Sequence, residues 1–110
     1  MSDEATTQYL ILRAWGAHPR IRIARINTGK AYPPHSRQLV TFGVPGTADI
    51  VGIIAPEGRL IMIEVKSAAG KQRAAQVVMQ RVITAFGGLY MVARSVEDVD
   101  RELGKLGITR

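Results

Sequence analysis

The chain has 110 residues, no cysteine and a formal net charge of +6, with an isoelectric point near 10.3. This length predicts a single domain over residues 1–110, and the lack of cysteine excludes disulfide scaffolds, thiol catalysis and cysteine-ligated zinc sites. The polar start MSDEATTQ does not resemble a signal peptide. No apolar run approaches the roughly 18 residues of a membrane span, so we expect no membrane partner.

Four segments follow one another in the first half of the chain. Residues 4–15 are predicted to form a helix because apolar side chains recur there at helical spacing. Residues 20–27 alternate isoleucine with arginine, which predicts a strand with one apolar and one basic face and a slip of phase near Ala24. A glycine and two prolines predict a loop over 28–36, and a further short strand is expected over 37–43.

Basic charge is concentrated in this first half. Between Ala5 and Ala48 there is no Asp or Glu, and the six cations of this span account for the whole excess of positive charge. The pattern is open to two interpretations, a solvated basic surface or a face that binds phosphate groups. Under the second interpretation, the contact residues are Arg22, Arg25, Lys30 and Arg37.

The second half predicts a hairpin followed by a helix, a strand and a helix. Strands over 49–55 and 59–66 are joined by Pro-Glu-Gly, which suits a type I turn. Helices are predicted over 72–86 and 95–106, with a short apolar strand over 89–93 between them, and Ser95-Val-Glu-Asp is a capping signature at the start of the second helix. The order α-β-β-β-β-α-β-α predicts an α/β fold with a mixed sheet flanked by helices. Candidates for the buried face of the first of these helices are Val78, Val82, Ile83 and Phe86.

Charged residues interrupt the apolar strands of the hairpin. Glu64 and Lys66 are two residues apart, so both side chains leave the same face of a strand, with the Val65 carbonyl between them. Asp49 begins the neighbouring strand. A charge buried in a sheet costs several kcal/mol unless it is compensated. Spacing alone leaves two interpretations: a solvated Glu64–Lys66 pair with Asp49 capping a loop, or a site in which the carboxylates converge.

The register of the hairpin decides between these geometries. If Ala55 pairs with Gly58, Asp49 faces Glu64 directly; if Gly58 is a bulge, Asp49 faces Val65 and its side chain leaves the other face. The sequence leaves both registers open. We expect the carboxylates to converge, because two acids, a backbone carbonyl and a lysine form a coherent site.

Two carboxylates and a backbone carbonyl form the all-oxygen donor set that suits Mg²⁺ or Mn²⁺. An ion of this kind polarises a phosphoryl oxygen and activates a water molecule. Lys66 beside it would orient the water and offset negative charge on the pentavalent phosphorane. A cation would also explain why the apolar strands tolerate the carboxylates.

These residues resemble a known nuclease family. Pro45-Gly46 with Asp49, followed by Glu64-Val65-Lys66 at the end of an apolar strand, is similar to the PD-(D/E)XK nuclease motif. The chain resembles more closely the virus-type replication-repair nuclease (VRR-NUC) domain, over about Glu4 to Leu103. The features that carry this resemblance are Glu4, Arg25 to Gly29 with Asn27, Phe42 to Ile50, Gln76, Gly87-Gly88 and Val92 to Val99.

The resemblance implies a restriction-endonuclease-like core and a set of site residues. By resemblance, Asp49, Glu64 and the Val65 carbonyl bind the Mg²⁺ or Mn²⁺ ion, Lys66 is the catalytic lysine, and Glu4 and Gln76 approach the site from the first and the later helix. One departure is that the segment before Gln76 lacks the expected Ser/Thr-Pro helix start, which affects the helix boundary.

The compact chain resembles the stand-alone phage and bacterial members. This resemblance implies a homodimer that acts on duplex or branched DNA, such as four-way junctions, in replication, repair or recombination, in the cytoplasm of a bacterial or phage-infected cell. Apolar positions on the last two helices, which one small sheet would not cover completely, point to the same assembly. Examples are Val77, Val78, Leu103 and Leu106.

Two functions from different classes are therefore compared below. The first is a metal-dependent DNA endonuclease. The second is a non-catalytic DNA-binding or assembly subunit that retains the nuclease fold. The intact set of Asp49, Glu64 and Lys66 favours the first, since a binding module has no need of acids beside DNA phosphates.

Overall fold

The computed structural model describes residues 3–26, 29–31, 40–42 and 44–110, with side chains described outside 29–31 and 40–42. Within these ranges, no helix has both the length and the apolar character needed to cross a bilayer. The elements are α1 (Asp3–Trp15), β1 (Ile21–Arg25), β2 (Gly29–Ala31), β3 (Val40–Phe42), β4 (Ile50–Ile54), β5 (Arg59–Val65), α2 (Ala74–Ala85), β6 (Leu89–Ala93) and α3 (Val96–Gly104).

An open, mixed sheet of four strands in the order β1-β4-β5-β6 forms the centre of this α/β fold. The pairs β1–β4 and β4–β5 are antiparallel, whereas β5 and β6 are parallel. Two parallel neighbours need a crossover connection, and α2 supplies it. In this strand order, β4 and β5, the hairpin predicted to contain the carboxylates, lie in the middle of the sheet.

Helices cover both faces of this sheet. The main core lies between the sheet and the pair α1 and α3, and full burial of each of its isoleucines contributes on the order of 1.5–3 kcal/mol. A smaller cluster, which includes Met62 and Tyr90, lies on the other face under Ile83 of α2. Alternation along β5 directs Glu64 to the α2 face. The largest side chains of the main core are Trp15, Ile11, Ile21, Ile50, Ile54, Ile61, Ile63 and Leu103.

Polar contacts fix the helix ends and the packing of α1 against α3. The Ser95 hydroxyl accepts a hydrogen bond from the Asp98 N–H (3.2 Å) and caps α3 as the sequence predicts. The Trp15 indole N–H donates to Asp100 on α3 (2.9 Å), so α1 and α3 are joined by a hydrogen bond as well as by the core.

Two sequence predictions about elements are wrong. Gly29–Ala31 was expected to lie in a loop but forms β2, which pairs with β3 as a separate two-stranded sheet. Glycine and lysine have low intrinsic strand propensity, so only pairing with β3 defines this strand. On α2, Ile83 is buried as predicted, but the inner face is completed by Gln76 rather than by apolar residues. The other three predicted buried positions are exposed: Val78, Val82 and Phe86.

The loop between β4 and β5 sets the register of the hairpin. It closes with a hydrogen bond from the Gly58 N–H to the Ile54 carbonyl (3.0 Å), one residue earlier than the predicted type I turn requires. The regular pairs then run as far as Ile50 opposite Ile63. The sequence left two registers open, and this is the one without a bulge. It places the side chains of the next two residues, Asp49 and Glu64, on the same face of the sheet.

Candidate active site

The register of the hairpin brings Asp49 and Glu64 together, because they are the next residues beyond the last regular pair. The Asp49 carbonyl accepts a hydrogen bond from the Ile26 N–H (2.8 Å) at the end of β1. The Asp49 carboxylate Oδ2 accepts another from the Val65 N–H (2.8 Å) on β5. Asp49 is therefore held from both neighbouring strands, and its carboxylate replaces a backbone partner at the end of the sheet.

Glu64 is almost completely buried, with 3% of its surface exposed. Its Oε1 accepts a hydrogen bond from the Gln76 side-chain amide (2.7 Å), it is hydrogen-bonded to Asp49, and its Oε2 lies 3.9 Å from the Lys66 Nζ. Burial first, and then the hydrogen bond and charge of Asp49, raise the pKa of Glu64 to about 8 against the opposing charges of Lys66 and Arg73. The interpretation as a solvated strand face is therefore wrong.

Gln76 connects Glu64 to the start of α2. Its Oε1 accepts a hydrogen bond from the Arg73 backbone N–H (2.8 Å), which leaves its amide N–H group directed at Glu64. This contact is the half of a capping box in which the third helical residue reaches back to the N-cap. It explains how α2 begins at Ala74 without the expected Ser/Thr-Pro start: Gln76 caps the helix and orients the carboxyl group at the same time.

Lys66 and the Val65 carbonyl complete the set that the sequence predicted on β5. Lys66 lies on the same face as Glu64 and is 8% exposed. The Val65 N–H points to Asp49, and since the N–H and carbonyl of one strand residue point to the same side, the Val65 carbonyl does so too. Three oxygen donors from Asp49, Glu64 and Val65 therefore face one place at the end of the sheet.

This donor set fits a hydrated divalent ion. Two carboxyl groups in contact, one of them almost completely buried, are stabilised by a cation more than by water. Within the part of the chain that the structure describes, no third acidic residue or histidine joins them. Mg²⁺ keeps several of its waters and needs only one or two carboxylates from the protein, so a small set of ligands is compatible with it.

Tyr90 on β6 also belongs to this site, although its sequence context indicated only an apolar strand. It is 4% exposed, and its hydroxyl donates to the Gly46 carbonyl (3.1 Å) in the turn that leads to Asp49. Burial, with the negative charges of Glu64 and Asp49, raises the pKa of Tyr90, so its hydroxyl keeps its proton. Gly46 has a φ of +87°, and a Cβ there would collide with the Ala75 carbonyl.

Glu4 lies at the start of α1, on the helix layer that covers the opposite face of the sheet. It is half-buried. Among the hydrogen bonds and ion pairs of the described residues, none joins Glu4 to Asp49 or Glu64. The structure thus brings together Asp49, Glu64, Val65, Lys66 and Gln76, and the approach of Glu4 to them stays a prediction.

Arg22 and Arg25 do not form one basic face, because they lie on opposite sides of the sheet. Arg25 stands in register with the core residue Ile50 and, with four residues of α1, lines a cavity of about 330 Å³. Arg22 points to the other face, and its guanidinium donates to the carbonyls of His18 (3.2 Å) and Ile21 (2.9 Å). The reason is that they are three positions apart on a regular strand, and an odd separation places side chains on opposite faces.

The other two predicted phosphate contacts fall on less fully described parts of the chain. Arg37 lies outside the described residues, as does Asn27, which matched the family pattern without a role. Lys30 is part of β2, where the backbone alone is described. Their part in phosphate binding stays a prediction.

A second segment without Asp or Glu lies beside the carboxyl groups. It is as visible in the sequence as the first such segment, between Ala5 and Ala48. From Ser67 to Val96 there is no Asp or Glu. This segment includes α2 and the loop before it, which cover the face of the sheet that holds Glu64. Its cations are Lys71, Arg73, Arg81 and Arg94.

In comparisons with known proteins, the sequence matches no family model and no curated protein. No relative therefore assigns a role to any of these residues. The functional interpretation rests on the geometry of the carboxyl groups, on the charges around them and on the motif resemblance noted above.

Proposed function

We propose that this protein is a divalent-metal-dependent DNA endonuclease with a PD-(D/E)XK core of the VRR-NUC type. The observation that supports it best is that Asp49 and Glu64 come together at the end of the hairpin, with Lys66 on the same face of β5 as Glu64. Burial, and then the neighbouring Asp49, disfavour ionisation of Glu64. A divalent cation between the two carboxyl groups would remove this cost of ionisation, which is why the pair favours a metal site.

Each residue of the site has a role in this proposal. Bound by Asp49, Glu64 and the Val65 carbonyl, Mg²⁺ or Mn²⁺ would polarise a phosphoryl oxygen and lower the pKa of a water. Lys66 supplies positive charge where negative charge accumulates during phosphodiester hydrolysis. Gln76 holds Glu64 in one orientation through its contact with the helix start.

The charge distribution supports DNA as the substrate. The net charge of +6 and the two segments without Asp or Glu give the protein a surface with an excess of positive charge, which favours a polyanionic partner. A non-catalytic DNA-binding or assembly subunit would share this surface. It would gain nothing from a carboxyl group as deeply buried as that of Glu64 beside Asp49, so the site itself favours the endonuclease.

A cleavage assay with matched variants tests the proposal. The wild-type protein is incubated with Mg²⁺, with Mn²⁺ or with EDTA on linear duplex, single-stranded and four-way-junction DNA. Glu64→Gln removes a metal ligand at constant shape, and Glu57→Gln, at an exposed position of the hairpin loop, is the control. We expect metal-dependent cleavage by the wild type and the control, and a loss of about a thousandfold or more in Glu64→Gln, which corresponds to about 4 kcal/mol.

Two results would contradict this. A near-normal rate for Glu64→Gln with Mg²⁺ would show that the metal site is assigned to the wrong residues. Salt-dependent DNA binding by the wild type with no cleavage of any of the three substrates would favour the non-catalytic subunit. Preference for the junction over linear duplex would extend the proposal to branched DNA.

The proposal includes a homodimer, since a junction-cutting enzyme needs two active sites related by two-fold symmetry. Of the four apolar positions predicted for this contact, Leu103 is buried in the core, Val77 is half-buried, and Val78 and Leu106 are exposed. A second copy would be expected to pack on the side of α2 that carries Val78, where exposed apolar residues recur at every fourth position. They are Val78, Val82 and Phe86.

A further inference from the structure

Arg73 lies at the boundary between the buried carboxyl groups and the exposed surface. It is the N-cap of α2, and its backbone N–H donates to the Gln76 side chain, which in turn donates to Glu64. Two consecutive hydrogen bonds of 2.8 and 2.7 Å therefore separate the Arg73 backbone from the Glu64 carboxyl group. The position of this residue relative to the site is fixed by the same contacts that orient Glu64.

The Arg73 side chain is exposed and has no competing acid near it in sequence. No Asp or Glu occurs between Ser67 and Val96, and among the described residues no ion pair involves Arg73. Its positive charge acts on Glu64, whose carboxyl group already has Lys66 and Gln76 as partners. An exposed guanidinium beside a polar site with no acidic partner of its own is suited to an anion from outside the chain.

We infer that Arg73 binds a DNA phosphate next to the bond that is cut, and so positions the substrate over Asp49 and Glu64. This inference rests on the proposed nuclease function and adds a substrate contact on the α2 side of the sheet. The phosphate contacts predicted from the sequence all lie in the first half of the chain. The planar guanidinium donates two parallel hydrogen bonds to phosphate oxygens, which fixes orientation as well as distance.

Comparison with Arg81 distinguishes a specific role of Arg73 in binding from a general effect of positive surface charge. Both are exposed arginines of the same segment, and neither is a partner in the ion pairs of the described residues. Arg81 lies eight residues further along α2, about 12 Å along the helix axis. Arg73→Gln and Arg81→Gln remove the same charge, so a difference between them reports position rather than net charge.

The experiment has a binding arm and a cleavage arm. Binding of a short duplex is measured by fluorescence anisotropy at several salt concentrations in the Glu64→Gln protein, with Arg73→Gln, Arg73→Lys or Arg81→Gln added. Cleavage is measured in single turnover in the otherwise wild-type protein. Circular dichroism checks the fold of each variant, which should persist because the cap uses the Arg73 backbone and not its side chain.

We expect Arg73→Gln to weaken binding by about tenfold, to reduce the slope of log K against log salt by about 0.9, and to lower the saturated cleavage rate at least tenfold. Arg73→Lys should retain the salt slope but not the full rate, because a lysine is a point charge without the planar fork. Arg81→Gln should leave the saturated rate unchanged. Equal effects of Arg73→Gln and Arg81→Gln in both arms would overturn the inference. Absence of wild-type cleavage would overturn the proposed function alone, since the binding arm still compares the two arginines.

Discussion

Replacement of Glu64 by glutamine should stabilise the metal-free protein while abolishing cleavage. Burial and Asp49 raise the pKa of Glu64 from 4.5 to about 8, so the folded state keeps a proton that the unfolded chain loses above pH 4.5. The free energy of unfolding therefore falls as pH rises between these two values, by about 1.36 kcal/mol per pH unit. Between pH 4.5 and pH 7 this amounts to about 3 kcal/mol, all of it recovered below pH 4.5.

Glutamine removes this cost and keeps the hydrogen bond with Gln76, because its carbonyl oxygen can accept as the Glu64 Oε1 does. The substitution also removes the charge that lies 3.9 Å from the Lys66 Nζ, so only part of the cost is recovered as stability. We therefore expect Glu64→Gln to be about 1–3 kcal/mol more stable than the wild type at pH 7, and equal to it near pH 4.5.

Urea denaturation in EDTA at pH 4.5, 6, 7 and 8 measures this difference, with Glu57→Gln as the exposed control expected to remain within about 0.5 kcal/mol of the wild type. Added Mg²⁺ should stabilise the wild type and not Glu64→Gln, because ligand binding to the folded state alone raises its stability. A Glu64→Gln protein that is less stable at pH 7, or whose difference from the wild type does not change with pH, would refute the reasoning.

Three further predictions concern the surroundings of the site. Tyr90→Phe removes the hydroxyl that holds the Gly46 carbonyl; it should cost about 1 kcal/mol of stability and lower the single-turnover cleavage rate about tenfold, and an unchanged rate would argue against a positioning role. Gly46→Ala should destabilise the protein by more than about 2 kcal/mol in thermal or urea unfolding, because the φ of +87° and the Ala75 carbonyl both exclude a Cβ. Phe86→Ser, which removes a side chain that is 87% exposed, should convert a dimer to a 12.0 kDa monomer in sedimentation equilibrium, whereas a wild-type monomer would exclude the dimer.

Local pattern in the sequence was sufficient to predict the hairpin and the chemical groups that β5 presents on one face. Alternation with period two directs Glu64 and Lys66 to one face whatever the rest of the chain does. The cap at Ser95 and the approximate span of each helix also follow from neighbours a few residues apart. The concentration of positive charge was equally visible, although its second segment, from Ser67 to Val96, became informative only once its place was known.

Tertiary structure alone decided which groups meet. The register that brings Asp49 opposite Glu64 depends on the conformation of the four loop residues between Ile54 and Arg59. Two loop conformations were compatible with the same sequence. The inward face of α2 is partly polar because Gln76 is hydrogen-bonded to Glu64 and to the Arg73 backbone. The periodicity of apolar residues along a helix does not predict such hydrogen bonds.

The same holds for Tyr90, which belongs to the site because β6 pairs with β5 in parallel and carries its hydroxyl to the turn before Asp49. The sequence by itself thus determined residue types, their spacing along each strand and the sign of the surface charge. Burial, register and partners across the sheet came from tertiary structure, because they depend on contacts between segments that are distant in the chain.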